Sequence, residues 1–301
     1  MLSPDRLPLL PALAGDRRVF GGRAGSLSAY LDGPAGAPPL LLIHSINAAA
    51  SAYEVKPIYD RLRRERRVVA IDLPGFGFAD RRSRDYTLRL YTDAVHDALD
   101  LVAEDSGPAP VDIVALSLAG EFAARAITEA PARARTLTLV TPTGFSRATP
   151  LQGAPESSRE VPGVLRALRV PLWRRTLYNA LTRRPSIRYF LQCTYGRKEV
   201  DEALVDYDYL TAHQPDAEHA PLAFLSARLF SRDVRAVYAR LTPPVWVPHA
   251  TRDDFEDFSA ADWARARANW RFEALPTGAL PHFEMPDAFA DKLRAFLAAH
   301  G

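Results

Sequence analysis

The stretch VDIVALSLAGEFAARAI, Val111–Ile127, runs from a short β-branched apolar segment straight into Ser117 and then into an alanine-rich helix. Strand, tight turn and helix are the setting a nucleophilic serine needs. The turn holds the hydroxyl clear of the sheet, and the next amide, that of Leu118, points toward the space where negative charge develops. Such a turn demands small residues two places before and after the serine; here they are Ala115 and Ala119, with Gly120 one place further on to ease helix packing. A serine opening an ordinary helix gives the same local pattern, so the assignment depends on what surrounds it.

Working outward, Leu40–His44 and Arg67–Leu73 are short apolar runs that end in turn residues and read as buried strands. Val55, Ile58, Tyr59 and Leu62 recur between them at helical spacing, which makes a parallel βαβ unit. Leu88, Tyr91, Val95, Leu99 and Val102 mark a second helical face, and Thr136–Val140, Val245–Val247 and Trp270–Leu275 supply further strands. A closing helix carries Met285, Phe289, Leu293, Phe296 and Leu297, with Pro286 in its first turn. With no internal repeat, the expected fold is α/β: a doubly wound, mostly parallel sheet.

Between Arg147 and Tyr238 the strand signals stop, and helical stretches are punctuated by Pro150, Pro155, Pro162, Pro171, Pro185, Pro215 and Pro221. The expected organisation is therefore a core of residues 1–146 and 239–301 with a helical cap, 147–238, inserted in it. Gly163–Lys198 holds nine basic residues and no acidic one, and Glu199–Glu218 holds seven acidic residues and no basic one. Two readings follow. The halves pair with each other on a solvated lid face, or the basic, apolar half lies on an anionic membrane surface; the first is preferred.

A serine hydroxyl needs a base. Of seven histidines, His282 in GALPHFEMP stands between a strand and the terminal helix, on a connection able to present its ring at the sheet's end. His96 falls within a helix, His213, His219 and His300 in polar or terminal stretches, and His249 at a strand end, while His44 belongs to the turn after the Leu40 strand. The acid is expected in PHATRDDFEDF, as Asp253, with Asp254 the runner-up and Glu256 and Asp257 solvated or capping; the order Ser, acid, His is the one this arrangement uses. The TPTGFSR segment after Val140 offers no carboxylate. In HSINAAAS the amide of Ile46 is the second expected oxyanion donor. Asn47 either adds a side-chain hydrogen bond or caps the following helix.

The chain has 301 residues, 38 basic and 36 acidic, for a formal charge of +2, so no chain-wide field gathers nucleic acid and a small-molecule partner is expected. Cys193 is the only cysteine, which excludes an internal disulfide. Met1–Arg18 has no apolar signal core and no apolar run reaches membrane-spanning length, so the expectation is a cytoplasmic protein. No HExxH, CxxC or phosphate-cradling glycine loop occurs, and PGFG at Pro74–Gly77 reads as a turn; neither metal nor organic cofactor is expected. The sequence carries no signature of oligomeric state.

With LLLIHS, AIDLPGFGFAD (Ala70–Asp80), ALSLAG, HATRDDF and PHFEMP in place, nearly the whole chain resembles the α/β-hydrolase superfamily, especially its cap-bearing esterase-like and C–C-hydrolase-like members. It departs from the usual pattern at Ser45, at the Ala115/Ala119 pair and at Ala250, where glycines are common, and it has Phe283 where many C–C hydrolases carry tryptophan. The resemblance implies a serine hydrolase that cleaves an ester-like bond of a small hydrophobic substrate through an acyl-enzyme on Ser117. Alternatives are C–C hydrolysis, perhydrolysis or acyl transfer with the same triad, and ligand binding without catalysis. Leu165, Leu168, Trp173, Tyr178, Tyr189 and Phe190 are candidates to wall an apolar pocket over the triad, or to form the cap's own core.

Overall fold

A computed structural model describes residues 8–147, 153–252 and 257–300. The strands are β1 (Asp16–Gly22), β2 (Gly25–Asp32), β3 (Pro39–Ile43), β4 (Arg67–Asp72), β5 (Val111–Leu116), β6 (Ala134–Val140), β7 (Val245–Ala250) and β8 (Trp270–Leu275). They form one sheet in the order β1-β2-β4-β3-β5-β6-β7-β8; β1–β2 and β2–β4 are antiparallel and every other pair is parallel. This is the expected mostly parallel, doubly wound sheet, extended at one edge by a hairpin.

Alternation within the central strands explains why they read as unbroken apolar runs. Leu41 and Ile43, Val69 and Ile71, and Ile113 and Ala115 face one core. Leu40 and Leu42, Val68 and Ala70, and Val114 and Leu116 face another. Both faces are covered, so neither offers a place for polar residues. Helices α1 (Lys56–Leu62) and α12 (Pro286–Ala298) cover the second face; α2 (Leu88–Ser106) and α3 (Ala119–Glu129) cover the first. Thr87 caps α2 by accepting from the Leu90 amide, and all five residues of its expected stripe are buried.

Between β6 and β7 lie α4 (Val164–Leu168), α5 (Arg174–Leu181), α6 (Arg184–Tyr195), α7 (Glu202–Ala212), α8 (His219–Leu225) and α9 (Val234–Ala239); α10 (Asp262–Arg265) and α11 (Pro281–Glu284) flank β8. A boundary at residue 238 runs through α9, whose Val234, Val237 and Tyr238 pack in the same cluster as Phe122 of α3. The basic and acidic halves meet through Arg174–Glu218 at 3.2 Å, Arg188–Glu202 at 2.5 Å and Arg184–Asp206. Among the described residues no helix is long and apolar enough to cross a membrane.

A parallel sheet carries the C-terminal ends of its strands to one edge. There β3 delivers the His44–Asn47 turn, β5 delivers Ser117, and the chain after β8 delivers His282. The PGFG turn wraps the end of β4: Asp72 accepts from the Phe78 and Ala52 amides, and a Cβ on Gly77 (φ +49°) would come within 2.0 Å of that carboxyl group. Only glycine fits there.

Candidate active site

Ser117 is half-buried at the β5–α3 junction with φ +47°, a left-handed conformation that few non-glycine residues adopt. Its amide donates to Val140 O at 2.9 Å, which pins the turn to β6, and Ala115 and Ala119 are fully buried around it. Gly120 lies against Leu139, where a Cβ would sit 3.2 Å from the leucine Cδ2, in keeping with the expected packing role. Strain of this kind persists where the surrounding structure enforces it, and it collects at functional sites.

Thr141 repeats the pattern one strand away, with φ +46°. Its amide donates to Pro248 O at 2.9 Å, and its hydroxyl donates to Ala279 O at 2.8 Å. One strained residue thus joins the ends of β6 and β7 to the connection bearing His282. The sequence gives no warning of it, since a threonine after a strand is unremarkable.

The turn after β3 is held by a carboxylate that sequence reasoning did not single out. Glu54, in the 3-10 turn Ala52–Val55, accepts from the Ser45 amide (2.8 Å), the Ser45 hydroxyl (3.1 Å) and Asn47 Nδ2 (2.6 Å). Ser45, standing where a glycine is common, is therefore built into the turn. Asn47 also donates to Ser45 Oγ at 3.1 Å and accepts from the Ala49 amide at 2.7 Å. Both ends of its amide are engaged within the turn, so it has no donor left for a substrate, and the cap of the following turn is Ser51 instead. That corrects both expectations for Asn47. His44 secures the turn, its Nδ1 donating to Ser45 O at 2.6 Å and its Nε2 accepting from the Leu73 amide at 2.9 Å; burial lowers its pKa to about 4. Tyr178 reaches over from α5 to donate to Ala48 O at 2.9 Å.

Among the described residues, neither the Ile46 amide nor the Leu118 amide has a hydrogen-bond partner, and both side chains are buried. Two unpaired amides on adjacent parallel strand ends, flanking a serine, form the donor set an oxyanion requires.

His282 is fully buried in α11, against Phe283 and Phe289. Its Nε2 lies 2.7 Å from Glu54 O, and Nδ1 has no partner among the described residues. No hydrogen bond links it to Ser117 in this structure. Burial lowers its pKa to about 4. The other histidines are spent elsewhere: His96 on Glu129 at 2.8 Å, His213 on Tyr209 O, and His249 on Ala250 O with Phe258 against its ring. Asp253, Asp254 and Glu256 lie outside the described residues. Asp257 accepts from Ser146 Oγ and the Ser259 amide, which lowers its pKa to about 2, as befits a turn-forming carboxylate.

The cap contributes less aromatic surface than expected. Trp173, at the N-cap of α5, and Tyr189 and Phe190, midway along α6, are 45%, 60% and 43% exposed. Leu165 and Tyr178 are buried, and Leu168 is partly buried. Instead α7 covers the site: Tyr207 stacks on Tyr53 at 4.7 Å, and Leu204 and Val205 cluster with Leu280, Tyr53 and Phe283. Arg81, after the PGFG turn, donates to Thr211 O (2.7 Å) and Thr211 Oγ1 (2.9 Å) at the C-terminal end of α7 and to Gly77 O. A cation at that helix end also suits the helix dipole.

A family model described as alpha/beta hydrolase family matches residues 40–292. No curated protein matches the chain. Among solved structures, 2-hydroxy-6-oxo-6-phenylhexa-2,4-dienoate hydrolase from Rhodococcus sp. strain RHA1 is 20% identical, with 94% of this chain and 98% of that one covered and a TM-score of 0.74. The enol-lactonase from Burkholderia xenovorans LB400 is 18% identical (93% and 100% covered, TM-score 0.72). A thermophilic esterase from Thermogutta terrifontis is 17% identical (95% and 100%, TM-score 0.70). At these identities the likeness is one of fold.

Proposed function

The chain belongs to the alpha/beta hydrolase family, and from that premise we propose that it is a serine hydrolase acting on an ester-like bond through an acyl-enzyme on Ser117. The observation that carries the reading is the strained Ser117 between two unpaired amides, those of Ile46 and Leu118. In the proposed reaction Ser117 Oγ bonds to the substrate carbonyl carbon while His282 takes its proton, and the carbonyl oxygen becomes an oxyanion held by the two amides. Collapse breaks the bond to the alcohol, which leaves with the proton from His282. Water, deprotonated by the same histidine, then releases the acid. Asp253 is the proposed partner of Nδ1, stabilising the imidazolium.

An imidazole nitrogen bonded to a carbonyl oxygen carries the ring proton. The geometry of His282 is therefore a resting one: Nε2 must leave Glu54 O, with the proton passing to Nδ1 on the side proposed for Asp253, before it can receive the serine proton. Apolar neighbours of the site, Ile46, Leu118, Tyr53, Phe283 and Leu280, support a hydrophobic substrate. A membrane surface as partner has less support, because three basic side chains of the cap are already paired with the acidic half.

The test is turnover of p-nitrophenyl acetate and butyrate by wild type and Ser117→Ala. Serine-dependent hydrolysis supports the reading. The His282–Glu54 hydrogen bond favours one second reading, ligand binding without turnover; an inactive, folded wild type that binds esters as Ser117→Ala does would select it.

A further inference from the structure

Asp208 of α7 is 5% exposed, and among the described residues its Oδ1 has no hydrogen-bond partner. Leaving a buried carboxyl oxygen unpaired destabilises the fold, so its retention calls for an explanation. The helix places it over the active site: its neighbour in sequence, Tyr207, stacks on Tyr53, the neighbour of Glu54. A second orphan, the buried hydroxyl of Tyr195, lies in the cluster that holds Leu204 and Val205 of the same helix; burial raises its pKa most, and Asp201, Glu284 and Asp208 add to that.

Glu54 and Asp208 differ in one respect that matters. Glu54 is saturated by the donors of the oxyanion turn, whereas Asp208 lacks any. Each carboxyl group is pushed above its ordinary pKa by burial, and Glu54 raises Asp208 further. Among the described residues no cation pairs with either. The half-buried guanidinium of Arg81 is spent on oxygens of Gly77 and Thr211. What the site lacks is a hydrogen-bond donor with positive charge.

We propose that Asp208 and Tyr195, backed by Glu54, form a subsite for an ammonium group on the substrate, a few bonds from the carbonyl that Ser117 attacks. The inference rests on the serine hydrolase reading for its catalytic consequence, though not for binding itself. An amine entering there supplies the donor that Asp208 Oδ1 and the Tyr195 hydroxyl lack, and it offsets the charge of the buried carboxyl pair. The substrates are then esters of amine-bearing acids.

The experiment compares p-nitrophenyl 6-aminohexanoate with p-nitrophenyl hexanoate on wild type, Asp208→Asn and Tyr195→Phe. In parallel, calorimetry measures binding of hexylammonium and 1-hexanol to the same proteins. A charged hydrogen bond of this kind corresponds to a change of about tenfold to a hundredfold. The expected result is that kcat/KM for the amino ester relative to hexanoate falls by that factor in Asp208→Asn and severalfold in Tyr195→Phe. The latter variant decides the matter if Asp208→Asn does not fold. An unchanged ratio overturns the proposal. If wild type hydrolyses neither ester, the hydrolase reading fails, and calorimetry still judges the subsite: hexylammonium binding lost in Asp208→Asn supports it, and equal or absent binding overturns it.

Discussion

His282 Nε2 stands 2.7 Å from the main-chain oxygen of Glu54, while the Glu54 carboxylate binds the amide and hydroxyl of Ser45. One residue therefore touches the proposed base through its backbone and the oxyanion turn through its side chain. Moving either displaces the other.

Glu54→Gln puts an amide nitrogen where Asn47 Nδ2 now donates, so two donors face each other. The expected outcome is a loss of about 1–3 kcal/mol in stability and a fall in kcat of about ten- to a hundredfold with little change in KM, because the turn acts on the oxyanion more than on the bound ester. Denaturant melts and steady-state kinetics on p-nitrophenyl butyrate check it.

The pH profile carries the signature of burial. His282 serves as a base only when neutral, and its pKa is lowered from 6.5 to about 4 by desolvation. Pairing with Asp253 in the working enzyme opposes that burial, so the acid limb of kcat/KM is expected above 4 and below 6.5; a limb at or above 6.5 would mean that burial does not govern the working imidazole. In stability the sign is the same for His44 and His282. Both are depressed in the fold, so their contribution is complete above 6.5 and declines as pH falls toward 4. Buried Asp72 opposes them: its pKa is raised to about 6, so its contribution is complete below 3.8 and lost as pH rises through 6.

Backbone strain at Ser117 separates two inactive variants. Glycine adopts φ +47° freely and alanine does not. Ser117→Gly is expected to equal or exceed Ser117→Ala in stability by up to about 1 kcal/mol, against the usual penalty for glycine. Thermal unfolding of the pair measures it, and a clearly less stable glycine variant would show that the turn holds no strain.

Arg81→Met removes the bonds that fasten Thr211 and Gly77. The expected outcome is a loss of about 1–3 kcal/mol, faster limited proteolysis within 153–233, and a raised KM as α7 loosens over the site.

Much of this was legible in the sequence, for identifiable reasons. Strands β3 to β7 announced themselves because both faces of these strands are buried, and Ser117 because strand, small-residue turn and helix adjoin. The hairpin β1–β2 escaped: β1 is almost wholly exposed and reads DRRVFGG, and β2 interleaves serines, one of them buried, with its apolar residues. Asn47 was misread because its partners, Ser45 and Glu54, meet only after the chain turns back. Glu54 and Asp208 escaped for a related reason. A lone carboxylate among helix-spaced apolar residues looks solvated until tertiary packing buries it.

The central claim is a nucleophile at Ser117, and the most direct measurement is reaction of the purified protein with a fluorophosphonate, followed by peptide mapping of the adduct by mass spectrometry. The account expects one stoichiometric adduct on Ser117, absent in Ser117→Ala and formed far more slowly in His282→Ala and Asp253→Asn. A folded wild type that takes no label, or takes it on another residue, would contradict it.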